Sequence, residues 1–191
     1  IKEIDDSNWK ELNELLYKAA ESGRDWYEYV LHEKADIAYC MLDMDRTMDS
    51  EIGDWKEKGL PSIKDTVFEK EFFERVSRID PLTHVVFDSA RAELEEMYSV
   101  KIESVDSLDE LMELFIRKSK ESGAVSYKSV AAYFRTLDIE ECKREKANKN
   151  LKNILQGTGC ETEKLEVQNY MIHYLVRRAG EQGMPFQFHT G

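Results

Sequence analysis

Residues able to perform acid–base or metal chemistry follow the strands that the sequence predicts. They comprise carboxylates, an arginine, a lysine and a histidine: Asp43, Asp45, Arg78, Asp80, Lys128 and His189. In a parallel α/β fold the carboxyl ends of the strands gather on one face, where ligands and catalytic groups cluster. The sequence therefore predicts that these side chains converge in a metal-assisted or acid–base site.

Each of these residues also has an ordinary structural explanation. Arg78 and Asp80 could pair with each other, and Lys128 could bind a carboxylate at a neighbouring strand end. His189 could be a surface histidine, and the loop aspartates could simply be solvated. No HExxH, HxH, P-loop or GxGxxG motif is present, so the sequence predicts neither a self-contained zinc protease site nor a nucleotide site.

The elements that would position these side chains alternate between strand and helix. Apolar and β-branched runs predict strands at 37–42, 72–80, 124–129 and 185–189. Helical periodicity predicts helices at 8–23, from about 25, and at 82–98, 107–123, 139–156 and 165–181. Ser107 and Glu110 have capping-box spacing. The first strand lacks polar interruptions, which predicts a strand covered on both faces of a parallel sheet.

The connection from about 43 to 64 is long and contains several aspartates and glycines. Loops of this length are uncommon in compact domains unless they cover a functional site. The 191 residues contain 41% hydrophobic residues and no internal repeat, so we expect one globular domain.

The charge balance and the absence of special segments exclude several classes of partner. The chain has 27 Lys and Arg against 39 Asp and Glu, and a formal net charge of -12, which argues against nucleic-acid binding. No apolar run approaches the roughly 18 residues of a membrane span, and the first residues do not resemble a signal peptide. We therefore predict a cytoplasmic protein without membrane partners, whose three widely spaced cysteines are reduced.

Two segments resemble motifs of a branch of the amidohydrolase superfamily. Residues 127–137, YKSVAAYFRTL, resemble the strand-four pattern KS-x-AAY-x-R-x-L of that branch. Residues 183–191, GMPFQFHTG, resemble its strand-five pattern G-x-P-x-Q-x-HTG. Weaker similarities lie around Trp26 and at 37–43 and 78–80. Together these segments extend over most of the chain.

The resemblance implies a (β/α)8 TIM barrel with one or two divalent metal ions, zinc or alternatively manganese, at its carboxyl-terminal mouth. On the family's pattern His189 is a metal ligand. Lys128 lies where binuclear members carry a carboxylated lysine that bridges two metals. In mononuclear members that position is not a ligand, and Lys128 would instead orient substrate or pair with a carboxylate.

The family's strand-one HxH, strand-six histidine and strand-eight aspartate have no counterpart in the sequence. Barrels of this fold typically need about 250 residues. We therefore expect a partial barrel, helix-rich and with parallel strands, that covers about strands two to five. Because catalytic zinc needs about three protein ligands, we expect these residues alone to bind metal weakly and to be inactive.

Three functions remain open at this point. The first is a metal-dependent hydrolase, in which metal-activated water attacks a C–N or C–O bond of a small polar metabolite. The second is a decarboxylase or isomerase on the same barrel, with Arg78 or Arg135 holding a substrate carboxylate. The third is a non-catalytic interaction module. The enzyme hypotheses imply a small-molecule substrate and are compatible with a homo-oligomer.

Overall fold

The computed structural model describes residues 5, 8–23, 25, 28–43 and 72–190. The chain divides into two compact units: the first comprises Ile1–Cys40 and Phe68–Phe73, and the second comprises Met41–Val67 and Glu74–Gly191. The expectation of one domain for the whole chain stays a prediction. The predictions that concern Asp45, Trp26 and the 43–64 loop beyond Asp43 fall outside the described residues.

The first unit is helical in its described part. Helix α1 spans Trp9–Ala20, as the apolar spacing predicts, and Gly23 follows it with a φ of 70°. The helix predicted from about residue 25 is a π-helical segment, Glu28–Lys34, in which Ala35 N donates to Val30 O at 3.0 Å. Apolar periodicity predicts that a helix forms there, but it does not distinguish the i→i+5 hydrogen bonds of a π-helix.

Four parallel strands form one sheet in the order β1-β2-β3-β4. Their bounds are Cys40–Asp43 for β1, Phe73–Arg78 for β2, Ala124–Ser129 for β3 and Phe186–Phe188 for β4. Arg78 pairs with Lys128, and Lys128 pairs with Gln187. Because residues paired side by side in a sheet point to the same face, these three side chains share one face. The predicted parallel α/β class is therefore confirmed.

The opposite face of the sheet packs against helices. Tyr127 on this face lies 5.9 Å from Phe115 of helix α4, measured between ring centroids. After β2 the helices are α2 (Asp80–Thr83), α3 (Asp88–Tyr98), α4 (Val105–Glu121), α5 (Arg144–Leu155) and α6 (Glu161–Glu181). Leu111 and Met171 are among the side chains that are fully buried in the core between these elements.

Several helix boundaries differ from the predicted ones, and α6 begins at Glu161 rather than at residue 165. Helix α4 begins two residues early because Ser104 forms the capping box with Ser107, whereas we predicted Ser107 with Glu110. The helix predicted at 82–98 is interrupted at Phe87, whose backbone is extended with a ψ of 135°. The helix predicted at 139–156 begins only at Arg144, because the preceding Lys143 is extended with a ψ of 146°.

The prediction that the first strand is covered on both faces is wrong. Tyr39 is 58% exposed and Met41 is 44% exposed. The strand begins at Cys40 rather than at Ile37. Ile37 N instead donates to Leu31 O at 2.7 Å. This hydrogen bond ties the beginning of the apolar run to the end of the preceding helical segment.

Candidate functional site

One carboxylate links the ends of three strands. Asp43 ends β1 and accepts at Oδ2 from two nitrogens of Arg78, the last residue of β2. The Arg78 Nε to Asp43 Oδ2 distance is 3.1 Å. Lys128 Nζ of β3 lies 3.8 Å from the same oxygen. The carboxyl ends of β1, β2 and β3 thus meet at Asp43.

In the described residues, this cluster brings two cations, Arg78 and Lys128, to one carboxylate, that of Asp43. Its side chains are largely shielded from solvent, at 10% exposure for Arg78, 15% for Asp43 and 23% for Lys128. Charges interact more strongly there than in bulk water. With the described residues, Lys128 Nζ makes an ion pair but no hydrogen bond, and the buried Asp43 Oδ1 has no hydrogen-bond partner. Both atoms thus keep unused hydrogen-bonding capacity within the described part of the chain.

His189 lies at the end of the next strand. Its backbone N donates to Ser129 O at 2.9 Å, which continues the parallel ladder one residue beyond β4. The half-buried imidazole stacks on Tyr133, with ring centroids 4.7 Å apart and an interplanar angle of 20°. Tyr133 ends a 3₁₀ turn that follows β3. The sequence placed Tyr133 close to Lys128 along the chain, but only the fold reveals its contact with His189.

Asp80 is buried and binds the end of β3. Its Oδ1 accepts from Ser129 Oγ at 2.9 Å, and its Oδ2 accepts from Val130 N at 2.8 Å. Burial raises the pKa of Asp80, while these hydrogen bonds and the charge of Arg78 oppose the rise. Arg78 and Asp80, which could have paired with each other, therefore hydrogen-bond to different strand ends.

Arg135 lies against helix α6 rather than on Asp43. Its guanidinium donates to Leu165 O at 3.4 Å, to Gln168 Oε1 at 3.2 Å and to Asn169 Oδ1. Burial lowers the pKa of Arg135. All of these acceptors are uncharged side-chain or backbone oxygens, so Arg135 anchors the segment after β3 to α6. Its proposed contact with substrate stays a prediction.

Arg135 also lines a cavity of about 430 Å³ next to Asp80, His84 and Lys164. The His84 ring lies edge-on to Phe134 at a centroid distance of 5.3 Å. Burial lowers the pKa of His84 and favours the neutral imidazole. Lys164 is paired with Glu161 on the cavity wall. The cavity thus holds charges of both signs and shows no preference for one ligand charge.

The residues described here do not complete a metal site. In 5, 8–23, 25, 28–43 and 72–190, no group of three or more His, Cys, Asp and Glu side chains could hold a metal ion. The strand ends offer Asp43 Oδ1 and the His189 imidazole as donors, fewer than the roughly three protein ligands of a catalytic zinc. Arg78 and Lys128 carry positive charges that would repel a metal ion. The assignment of His189 and Lys128 as ligands stays a prediction.

The structure has the fold of part of a (β/α)8 TIM barrel, with parallel strands and helices between them. It is similar to the crystal structure of glucuronate isomerase from Caulobacter crescentus, with a TM-score of 0.64 and 13% sequence identity. The similarity covers 100% of this chain and 38% of that enzyme's chain. At this identity the likeness establishes the fold alone.

A second solved structure is a protein from Lactobacillus casei ATCC 334 that is provisionally assigned as a metal-dependent hydrolase. Its TM-score is 0.49 at 19% identity, with coverage of 86% of this chain and 39% of that one. No family model matches the sequence, and no curated protein matches it. Membership of the amidohydrolase superfamily therefore stays a prediction.

None of the helices in the described part of the chain is both long enough and apolar enough to cross a bilayer.

Proposed function

We propose that this chain forms part of the active site of a barrel enzyme that acts on a small carboxylated metabolite. The observation that carries the proposal is the convergence of Arg78 and Lys128 on the single carboxylate of Asp43 at the carboxyl ends of parallel strands. Ligands of barrel enzymes bind at this face. The presence of two cations there favours an anionic substrate.

The three side chains offer complementary contacts to a hydroxy acid. Lys128 has three ammonium donors, and its 3.8 Å separation from Asp43 Oδ2 exceeds a hydrogen-bond length, so these donors can bind a substrate carboxylate. Asp43 Oδ1 can accept from a substrate hydroxyl. Arg78 holds the Asp43 carboxylate in place through two of its nitrogens. This donor and acceptor set supports a sugar acid as the substrate class.

The same charges suit isomerisation or decarboxylation. Both reactions develop negative charge on the substrate, and cations fixed in a shielded site stabilise such charge. The likeness in fold to a glucuronate isomerase is compatible with this reading, since that enzyme's name specifies a sugar acid. Because two cations suit a substrate carboxylate, we favour isomerisation of a carboxylated substrate as the first reaction to test.

A metal-dependent hydrolase is the second candidate, with zinc or manganese held by His189 and by Lys128 in a carboxylated form. It is favoured by the unpartnered Asp43 Oδ1, because carboxylate oxygens are common metal donors. A bound metal would supply activated water and a polarised substrate bond. This candidate requires ligands beyond those that the described residues provide.

Chemical-shift titration of the ¹⁵N-labelled chain tests the favoured proposal. D-glucuronate should shift the amides of Arg78, Lys128 and His189, and neutral D-glucose should not. Lys128→Met should weaken glucuronate binding about 10-fold or more, because hydrogen bonds to charged groups contribute about 1.5–3 kcal/mol. The control is Lys146→Met, which removes a lysine paired with Glu166. Equal shifts with both sugars, or unchanged affinity in Lys128→Met, would contradict the proposal.

Manganese relaxation tests the hydrolase candidate separately. Bound Mn²⁺ broadens nearby resonances even when binding is weak, so it should selectively broaden Asp43, Lys128 and His189. His189→Ala should abolish this effect. His173→Ala is the matched control, because His173 lies on α6 and bonds to Ile139 O. Broadening elsewhere, or broadening that survives in His189→Ala, would exclude His189 as a ligand.

A further inference from the structure

We propose that Asp80 is a positioning residue that fixes Lys128 and His189 relative to each other. It does so by holding the segment that begins at Ser129, directly after Lys128. This inference rests on the proposed function, because that function gives the two strand ends a role in ligand binding.

The first step is the contact between the ends of β2 and β3. Asp80 is only 1% exposed, and each of its carboxyl oxygens accepts a hydrogen bond from the end of β3 or the residue after it. The donors are Ser129 Oγ and Val130 N, the two residues that follow Lys128. Ile79 N also donates to Lys128 O at 2.9 Å. The direction in which the chain leaves β3 is therefore set from β2.

The second step connects this segment to His189. Ser129 O accepts from the His189 backbone N at 2.9 Å, and Ser129 Oγ accepts from Ala131 N at 3.2 Å. Tyr133 N donates to Val130 O at 3.0 Å, which forms the turn that stacks Tyr133 on the imidazole. Both the backbone and the ring of His189 are thus held by the segment that Asp80 binds.

Two substitutions of Asp80 distinguish a positioning role, which depends on its hydrogen bonds, from a purely electrostatic role, which depends on its charge. Asparagine has nearly the same shape as aspartate, and its Oδ1 can accept from Val130 N. Its Nδ2 can donate to Ser129 Oγ, because a hydroxyl oxygen has two acceptor positions. Asp80→Asn should therefore keep both contacts without the charge, whereas Asp80→Ala removes both.

The test measures two properties of the whole chain. One is the nuclear Overhauser contact between the rings of Tyr133 and His189, recorded without metal or ligand. The other is the affinity for D-glucuronate. Asp80→Ala should lose the ring contact and weaken glucuronate binding about 10-fold, the lower end of what loss of a supporting hydrogen bond costs in metal sites. Asp80→Asn should restore both properties to nearly the wild-type level.

Leu94→Ala is the control for a general loss of stability. Leu94 of α3 is 1% exposed and lies in the hydrophobic core. The variant should lower the midpoint temperature of unfolding and leave the ring contact and the glucuronate affinity unchanged. If Leu94→Ala loses both properties as Asp80→Ala does, the role of Asp80 is merely structural and the inference fails. A ring contact that persists in folded Asp80→Ala also overturns it.

Two further outcomes have defined meanings. If the wild type binds no glucuronate, the proposed function fails, and the ring contact alone still decides the role of Asp80. If Asp80→Ala does not fold, Ser129→Ala replaces it, because that substitution removes one of the two hydrogen bonds that Asp80 accepts, the one from Ser129 Oγ. The ring contact should then weaken, and an unchanged contact would overturn the inference.

Discussion

Replacing Asp43 by alanine should destabilise the second unit more than replacing either of its cationic partners. The variant leaves Arg78 and Lys128 side by side without their shared carboxylate. Both cations are mostly buried, so water compensates for the loss only in part. The described part of the cluster is thus expected to depend on the Asp43 carboxylate.

The contacts at Asp43 set the size of the effect. Removing one partner of a buried ion pair costs about 3–5 kcal/mol, and the 15% exposure of the Asp43 side chain supports the lower end of this range. Lys128→Met should cost only about 0.5–1 kcal/mol, as for weak and partly solvated pairs. The Lys128 Nζ to Asp43 Oδ2 distance of 3.8 Å is longer than the 3.1 Å from Arg78 Nε to the same oxygen. In Lys128→Met, Asp43 also remains bound to Arg78.

Urea denaturation at neutral pH measures these differences in the free energy of unfolding. A double-mutant cycle with Asp43→Ala and Arg78→Met should give a coupling energy of about 1.5–3 kcal/mol, as expected for charge-assisted hydrogen bonds. Asp43→Asn should fall between the wild type and Asp43→Ala, because its amide oxygen can still accept from Arg78. A coupling energy near zero, or equal losses in Asp43→Ala and Lys128→Met, would refute the reasoning.

Two other predictions concern positions outside the site. Gly159→Ala should lower the free energy of unfolding by about 1–3 kcal/mol, because its Cβ would lie 2.8 Å from Ile154 Cα. In Gly180→Ala the new Cβ meets no atom within 4 Å, so this variant should stabilise helix α6 by up to about 1 kcal/mol. Thermal unfolding followed by circular dichroism distinguishes them, and a loss in both would contradict the steric argument. Hydrogen bonds from Arg178 hold the pKa of Glu113 below its ordinary value of 4.5, so Glu113→Gln should cost about 0.5–1 kcal/mol at neutral pH. This difference should decrease as the pH falls below 4.5 and vanish below the lowered native pKa, because the native carboxylate is then protonated; a pH-independent difference in urea midpoints would contradict it.

Regular elements with strong boundaries could be predicted from the sequence. Strand β3 spans Ala124–Ser129 as predicted, since Gly123, with a φ of 81°, separates it from helix α4. The start of α4 was predicted at Ser107 from its spacing to Glu110, whereas the structure shows that Ser104 caps the helix. Local chemistry thus predicts the presence of an element better than its first residue.

The candidate site shows the same limit. That polar residues follow the strands could be predicted, because parallel strands bring their carboxyl ends to one face. The choice of partners could not, because Asp43 and Arg78 are 35 residues apart and register decides which side chains meet. Arg135 shows the converse: its motif lies beside Lys128, yet its side chain is anchored to Gln168 of α6.

The contacts that join the strand ends have a consequence for folding kinetics. Asp80 and Ser129 are separated by 49 residues, and the Asp43–Arg78 pair closes a similarly long loop. Helices α5 and α6, by contrast, are neighbours along the chain and can pack early. Because long loops close late and slowly, the ligand-binding arrangement is expected to form in the last stage of folding. A full-length chain that refolds from the unfolded state would therefore acquire its helical core before it acquires any capacity to bind a ligand.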